Sequence, residues 1–287
     1  MANQLVSVVI PTFNRAYCIE TSIRSVLQQT HGDLEVIVVD DGSTDDTQEV
    51  VKQIGDSRVR YVRQSNAGAC VARNHGVDLA KGDIVAFQDS DDLWLPTKLE
   101  KQVAALQATG ADYSTCRMSV RLRGMADDDP AVQIVPPQDL CETDMNLASL
   151  MEKNYVSTQM LVGKKTVFLA ERFDPKMPRM QDWDLALRLM PKYTLAFVDE
   201  VLVVHIVGDD SITEDSTRYM YALDRIRKKH EAYLRAHKQT DATMLMKAAM
   251  SAQTFSLAKK LYLRSFSVQH DPTALLHLIH ARMLLRS

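Results

Sequence analysis

The chain has 287 residues, 46% of them hydrophobic, and a net charge of -3, which is enough to bury a large core in one big domain or in one domain with an appendage. No apolar run reaches the roughly 18 residues that a membrane span needs, and the opening MANQLVSVVIP lacks the charged, cleavable layout of a secretory leader, so a cytoplasmic protein is expected. The four cysteines, Cys18, Cys70, Cys116 and Cys141, are scattered without a CxxC pair, which argues against a zinc site and against a disulfide framework.

Leu5 to Ile10 is an apolar run that predicts a buried strand, ending at Pro11-Thr12-Phe13-Asn14-Arg15; Ile19, Ile23, Val26 and Leu27 then recur at helical spacing. A second strand, Leu34 to Val39, runs into Asp40-Asp41-Gly42-Ser43-Thr44-Asp45-Asp46, whose Ser and Asp side chains suit the cap of a following helix. Val59 to Val62 fits a third strand. After the loop Asn66-Ala67-Gly68, a helix through Arg73, Asn74 and Leu79 leads by Lys81-Gly82-Asp83 into a fourth strand, Ile84 to Phe87. Strands alternating with helices predict an α/β fold with a mostly parallel, Rossmann-like central sheet flanked by helices.

The fourth strand breaks into Gln88-Asp89-Ser90-Asp91-Asp92 and reaches Trp94 and Pro96, where a helix to about Ala108 begins. Three carboxylates this close repel unless water or a cation neutralises them, and an all-oxygen set suits Mg²⁺ or Mn²⁺ rather than zinc. Open α/β sheets bind ligands at the carboxyl ends of their strands. Asp40 and Asp41 end at that same edge, where a carboxylate can accept hydrogen bonds from a ribose or a base. A dehydrogenase would want GxGxxG after the first strand, and PTFNR stands there instead. Arg15 and Arg73, each just beyond a strand end, can offset phosphate charge.

Beyond the regular winding, alternation over Asp112 to Arg123 suggests an antiparallel pair of strands, and Gly124 to Gln138 has the composition of a long loop, a candidate lid. A helix over Leu140 to Glu152, a strand around Gln159 to Val162, a helix starting near Gln181, and closing strands at Leu195 to Val198 and Val201 to Ile206 follow. Asp182 and Asp184 open the helix at Gln181, where acidic residues favour the helix dipole. Sugar transfer to a hydroxyl also needs a carboxylate base. Trp94 and Trp183 offer apolar faces for a sugar ring, or core packing, and His205 is a candidate ligand from the last strand. From Ser216 the sequence is helical. Residues 1–214 carry 21 Lys or Arg against 32 Asp or Glu, whereas residues 215–287 carry 13 against 5, so the tail is basic. That suits either an anionic partner, such as a membrane surface met by the amphipathic segment after Asp271-Pro272, or complementarity within the molecule.

In order and spacing, SVVIPTFNR, VIVVDDGSTDDT, NAGACVARNHG, KGDIVAFQDSDDLWLPTKL and MQDWDLALRL resemble the motifs of the family 2 inverting glycosyltransferases with the GT-A fold. The resemblance covers about residues 5–213. It implies a GT-A domain over 1–213, with a nucleotide-binding half at 1–110 and an acceptor-binding half at 111–213, followed by a helical basic extension at 214–287. It also implies a nucleotide-sugar donor, with a UDP-sugar expected, a glycan or lipid-linked saccharide acceptor, a Mn²⁺ or Mg²⁺ cofactor and no nucleic acid. By position, Pro11, Thr12, Phe13 and Arg15 form the donor loop; Asp40 or Asp41 meets the base; Arg73 approaches the nucleotide. Asp89-Ser90-Asp91 matches the DxD motif, with Asp91 on the metal and Asp89 on ribose or cation. Asp182 matches the catalytic base, with Gln181, Trp183 and Trp94 on the acceptor side.

Two positions depart from the pattern. Gln181 stands where the family has Glu, and Gly208 stands near the place of a metal-binding His, with His205 three residues earlier. An acceptor at a membrane would put the protein at the inner face of the cell membrane. The competing expectation is a catalytically silent nucleotide-sugar-binding scaffold at a membrane glycan-assembly complex, against which intact Asp91 and Asp182 argue.

Overall fold

The first four strands, β1 (Val6–Thr12), β2 (Leu34–Asp40), β3 (Val59–Arg63) and β4 (Ile84–Phe87), are joined through helices α1 (Ile19–Leu27), α2 (Thr47–Gln53) and α3 (Ala69–Leu79). The structure, a computed structural model, describes residues 4–122, 124–125, 129, 132–207, 216–250, 255–269, 273–274, 277–278 and 281. β1 pairs in parallel with both β2 and β4, and β2 with β3. All seven residues of β1 and all four of β4 are buried, which is why these strands read as continuous apolar runs rather than alternating ones. The register aligns Thr12 with Asp40 and Val9 with Phe87. The PTFNR, DDGSTDD and DSDD segments therefore leave the sheet at one edge.

The next elements are β5 (Leu93–Trp94), α4 (Lys98–Thr109), β6 (Tyr113–Leu122), β7 (Gln133–Val135), α5 (Leu147–Glu152), β8 (Val162–Lys164), α6 (Lys165–Ala170), α7 (Gln181–Leu189) and β9 (Leu195–Val207). The sheet runs in the order β3-β2-β1-β4-β8-β6-β9-β5, with β7 on β6. Past β4 it is mixed: β8 is antiparallel to β4 and β6, β9 is parallel to β6, and β5 is antiparallel to β9. Asp112 to Arg123 is thus not a pair of strands. Its alternation belongs to one strand of ten residues, β6, and the break in pattern is a register shift at Cys116, Arg117 and Met118 rather than a turn. Across that shift, the two expected closing strands merge into the single β9.

Other boundaries move for local reasons. The strand expected at Gln159 starts at Val162, after a 3₁₀ turn at Thr158–Met160. The helix expected from Leu140 starts at Leu147, where Asn146 Oδ1 accepts the Ser149 N–H at 3.1 Å. Part of the expected loop is strand β7, held by β6. Residues 123, 126–128 and 130–131 of that stretch lie outside the described residues.

Two compact units divide the chain. The sheet lies in Met1–Thr143, Tyr155–Lys176 and Gln181–Asp209; the other unit comprises Asp144–Asn154, Met177–Met180 and Asp210–Ser287. The second holds α5 with α8 (Ser216–Lys229), α9 (Glu231–Ala236), α10 (Lys238–Met250) and α11 (Phe255–Gln269). Its interior includes Leu150, Met151, Leu223, Ile226, Leu245 and Leu261, all fully buried. α10 packs on α5 and α11, and Lys247 pairs with Glu152 at 3.0 Å. No helix among the described residues is long and apolar enough to cross a membrane. The expected amphipathic segment after Pro272 lies mostly outside the described residues.

Candidate active site

Two loops at the carboxyl edge brace each other. Asn14 takes a left-handed backbone (φ 52), tolerable for Asn, and its N–H donates to Ser43 Oγ at 2.9 Å while its Oδ1 accepts the Thr44 N–H at 2.8 Å. The Arg15 N–H donates to Thr47 Oγ1 at 2.9 Å and the Ala16 N–H to Asp45 Oδ2 at 3.0 Å. The side chains read as helix caps thus hold the first loop. Pro11 and Thr12 are buried, whereas Phe13 is 44% exposed. An apolar ring left in water on this rim is available to stack on a base.

Asp40 and Asp41 are both buried, and both are already engaged. Asp40 accepts the Ser43 N–H at 2.7 Å and the Tyr61 hydroxyl. Asp41 accepts Gln64 Nε2 at 2.8 Å and the backbone N–H groups of Ala67 and Gly68 at 2.9 and 2.7 Å. His75 Nδ1 lies 2.8 Å from Gln64 Oε1, so a polar chain steadies Asp41.

Arg73 connects the DSD segment to the start of α7. Its guanidinium donates to Asp89 Oδ1 at 2.7 Å and to Gln181 Oε1 at 2.8 Å. Burial works against its charge, but the charge and hydrogen bond of Asp89, with Cys70 and Asp182 acting in the same sense, together outweigh it. α3 can carry Arg73 this close because Gly76 lies against β1, where a Cβ would come within 2.3 Å of Val9 Cγ1. Asp182 Oδ1 accepts the Trp183 N–H at 2.7 Å in the first turn of α7. Asp91 faces Arg15 at 3.6 Å. Burial pushes its carboxyl above the ordinary carboxylate range and the Asp89 charge adds to that, with Arg15 pulling the other way. The backbone of the segment is pinned by Ser22 Oγ, which donates to the Asp89 carbonyl at 2.9 Å.

The third acid of the segment has a separate role that no sequence signal marked. Asp92 is fully buried and accepts His205 Nδ1 at 2.8 Å, Gln159 Nε2 at 2.6 Å and the Ile206 N–H at 3.0 Å. It fixes β9 beside the DSD segment across more than a hundred residues of sequence. Burial opposes a charged imidazole, but the hydrogen bond and charge of Asp92, with Asp89 and Asp91 behind it, hold the His205 pKa up to about 9. His205 is therefore turned toward Asp92 through Nδ1. Residues 208–215, where the last expected ligand position falls, lie outside the described residues.

Among the described residues no three His, Cys, Asp or Glu close into a metal cage. The carboxylate oxygens nearest the carboxyl edge of β4 are those of Asp89 and Asp91, and hard oxygen donors of this kind suit Mg²⁺ or Mn²⁺ alongside substrate phosphate and water. Asp91 is short of neutralising charge, so the residues fit such a cation. The tryptophans are placed differently from an open sugar platform. Trp94 is 3% and Trp183 6% exposed, and the Trp94 indole lies under the fully buried Lys98, whose Nζ is 4.0 Å from the ring centroid. Burial pushes the Lys98 amine down to about 8, with Cys116 opposing. Its Nζ has no hydrogen-bond partner among the described residues.

Residues 7–168, more than half of the chain, match the model of glycosyl transferase family 2. UDP-Glc:alpha-D-GlcNAc-diphosphoundecaprenol beta-1,3-glucosyltransferase WfgD of Escherichia coli is 41% identical over 107 residues, 37% of this chain and 42% of that protein. The putative colanic acid biosynthesis glycosyl transferase WcaA of E. coli K12 is 28% identical over 83% of this chain and 85% of that protein. The chain spans less than half the length of several curated relatives it matches, among them the putative teichuronic acid biosynthesis glycosyltransferase TuaG of Bacillus subtilis, at 45%. Among solved structures, S. aureus TarS 1-349 in complex with UDP-GlcNAc superposes with a TM-score of 0.69 at 18% identity, over 96% of this chain and 79% of that one. The mannosyltransferase PcManGT of Pyrobaculum calidifontis gives 0.60 at 20% identity, over 97% and 86%. Those two likenesses make the fold GT-A, and the family model, matching more than half of the chain, shows that it belongs to glycosyl transferase family 2.

Proposed function

We propose that the protein is an inverting, metal-dependent glycosyltransferase that moves a sugar from a UDP-sugar to a hydroxyl of a glycan or lipid-linked saccharide. The observation that carries this is the Arg73 fork. One guanidinium holds Asp89 of the DSD segment and Gln181, the residue before the proposed base, so the diphosphate-binding edge and the base are built around one cation. Asp182 takes the proton from the acceptor hydroxyl as that oxygen attacks the anomeric carbon on the face opposite the leaving nucleoside diphosphate. The Asp182 charge in turn helps to hold the buried Arg73 guanidinium charged. Phe13, with Asp40 and Asp41 behind it, receives the base, and Arg15 faces the phosphates. Asp91 and Asp89 would hold Mn²⁺ or Mg²⁺, which would supply positive charge for the departing diphosphate, whereas His205, its Nδ1 spent on Asp92, would act through that acid rather than as a ligand. WfgD is named for a UDP-Glc donor and an alpha-D-GlcNAc-diphosphoundecaprenol acceptor, which supports this choice of donor and acceptor class and a place close to a membrane.

The test is a thermal-shift panel of UDP-, GDP- and dTDP-sugars, each with Mn²⁺ and with EDTA, followed by turnover of Asp182→Asn. A metal-dependent rise with a UDP-sugar is expected, because a ligand that favours the native state raises the midpoint. D182N should keep that rise and lose transfer by about 100-fold or more. Unchanged turnover in D182N removes Asp182 as the base.

A further inference from the structure

The helical unit contains a groove whose lining includes none of the residues assigned above to the transfer reaction. It has a volume of about 710 Å³ and is lined by residues of α8, α9, α10 and α11. Its charges are unevenly satisfied. Arg227 at its wall is clamped on buried Asp241 through Nε and Nη2, both at 2.8 Å, which fixes the guanidinium plane and leaves Nη1 without a partner among the described residues. Asp224 is taken by Arg264, a residue outside the lining, at 2.6 Å, and Arg235 holds Glu231 at 2.6 Å. Each acid of the groove therefore has its own cation. Lys228 and Lys238 line the groove with no ion pair among the described residues. Both belong to the segment 215–287, with its 13 basic and 5 acidic residues.

We infer that this groove is a binding site for a phosphate-bearing anion. Nη1 of the immobilised Arg227 would supply an oriented N–H pair, and Lys228 and Lys238 mobile positive charges that close on the remaining oxygens. A fixed guanidinium loses little freedom on binding, and charge-assisted hydrogen bonds to phosphate are the strong ones. Phosphate of this kind occurs free and on lipid headgroups, and the two sources can be separated.

The full chain is titrated calorimetrically with inorganic pyrophosphate in EDTA, so that cation-assisted binding at Asp89 and Asp91 does not contribute. It is also sedimented with phosphatidylcholine vesicles with and without phosphatidylglycerol. Lys228→Glu/Lys238→Glu should weaken binding at least tenfold while leaving the melting midpoint and donor-sugar hydrolysis unchanged. Lys259→Glu/Lys260→Glu changes two exposed α11 lysines outside the lining and imposes the same change in net charge; it should have little effect. Saturable pyrophosphate binding lost only in the first variant assigns the groove to a free anion. Vesicle binding alone, lost in the same variant, assigns it to a headgroup. No binding in either arm, or equal weakening by both variants, overturns the site. Since neither arm uses a nucleotide sugar, failure here leaves the proposed transfer reaction intact, and failure of that reaction leaves the groove intact.

Discussion

Replacing Arg73 with Met keeps most of the stem and removes the charge that joins Asp89 to the start of α7. Arg73 is 7% exposed and Asp89, at 26% side-chain exposure, would be left facing Asp91 and Asp92 without its cation. Opposite charges about 4 Å apart attract by about 4 kcal/mol at an effective dielectric near 20. Partial hydration of Asp89 recovers some of that, which puts the loss near the bottom of the about 3–5 kcal/mol seen when one partner of a buried pair is deleted. Gln181 also loses its donor, at about 1 kcal/mol. Urea melts followed by tryptophan fluorescence suit the measurement, because both tryptophans, Trp94 and Trp183, are buried in the sheet-containing unit. Arg73→Met should therefore lower stability by about 3–4 kcal/mol, and the double variant with Asp89→Asn should be less damaged than the sum, with a coupling of about 2 kcal/mol. Strict additivity, or a single-variant loss within about 0.5 kcal/mol of zero, refutes the fork as described.

Lys98 gives a pH test. Its folded pKa, about 8, lies below the ordinary 10.5, so the charged amine destabilises the fold fully below pH 8 and progressively less as pH rises toward 10.5. That shift corresponds to about 3 kcal/mol, offset by about 1–2 kcal/mol from the Trp94 face. Lys98→Met should be about 1–2 kcal/mol more stable than the parent at pH 7, with the gap narrowing by pH 10 in chemical denaturation; a gap independent of pH counts against it. Gln181→Glu places a second anion beside Asp182, and should move the acid limb of the kcat–pH profile up by about half to one unit; an unmoved limb separates position 181 from the base. Gly76→Val drives α3 off β1 and should cost at least the about 1–3 kcal/mol typical of overpacking while weakening UDP-sugar binding in calorimetry. Unaltered affinity would mean that Arg73 does not depend on this close approach.

The nucleotide half was legible because β1, β2 and β4 are buried almost throughout and end in polar loops. Ile84–Phe87 has the expected limits, and β1 and β2 run only one or two residues past Ile10 and Val39. The acid cluster was legible as a cluster, yet its division of labour was not. Asp89, Asp91 and Asp92 are equivalent in sequence, and only the arrival of Arg73, Arg15 and His205 from distant segments separates them. Lys98 shows the same limit. In sequence it is an ordinary first-turn residue of a helix after Pro96, whereas the helix it opens packs on β9 and β6 and the side chain is fully buried. Past Phe87 the strands are partly exposed and bulged, so periodicity marked where β6 and β9 lie but could not tell one long bent strand from two short ones.

The pairing of α5 with α10 has a consequence for how the protein is made. Leu150 and Met151 are fully buried, but the helix that packs on them begins at Lys238. At about 5–20 residues per second, a ribosome needs on the order of ten seconds to reach that point after α5 has been synthesised. During that interval the sheet strands β8 and β9 are made while α5 lacks its α10 cover. The nascent chain therefore offers a chaperone a short, timed hydrophobic handle, and a chain stopped near residue 213 would carry it permanently.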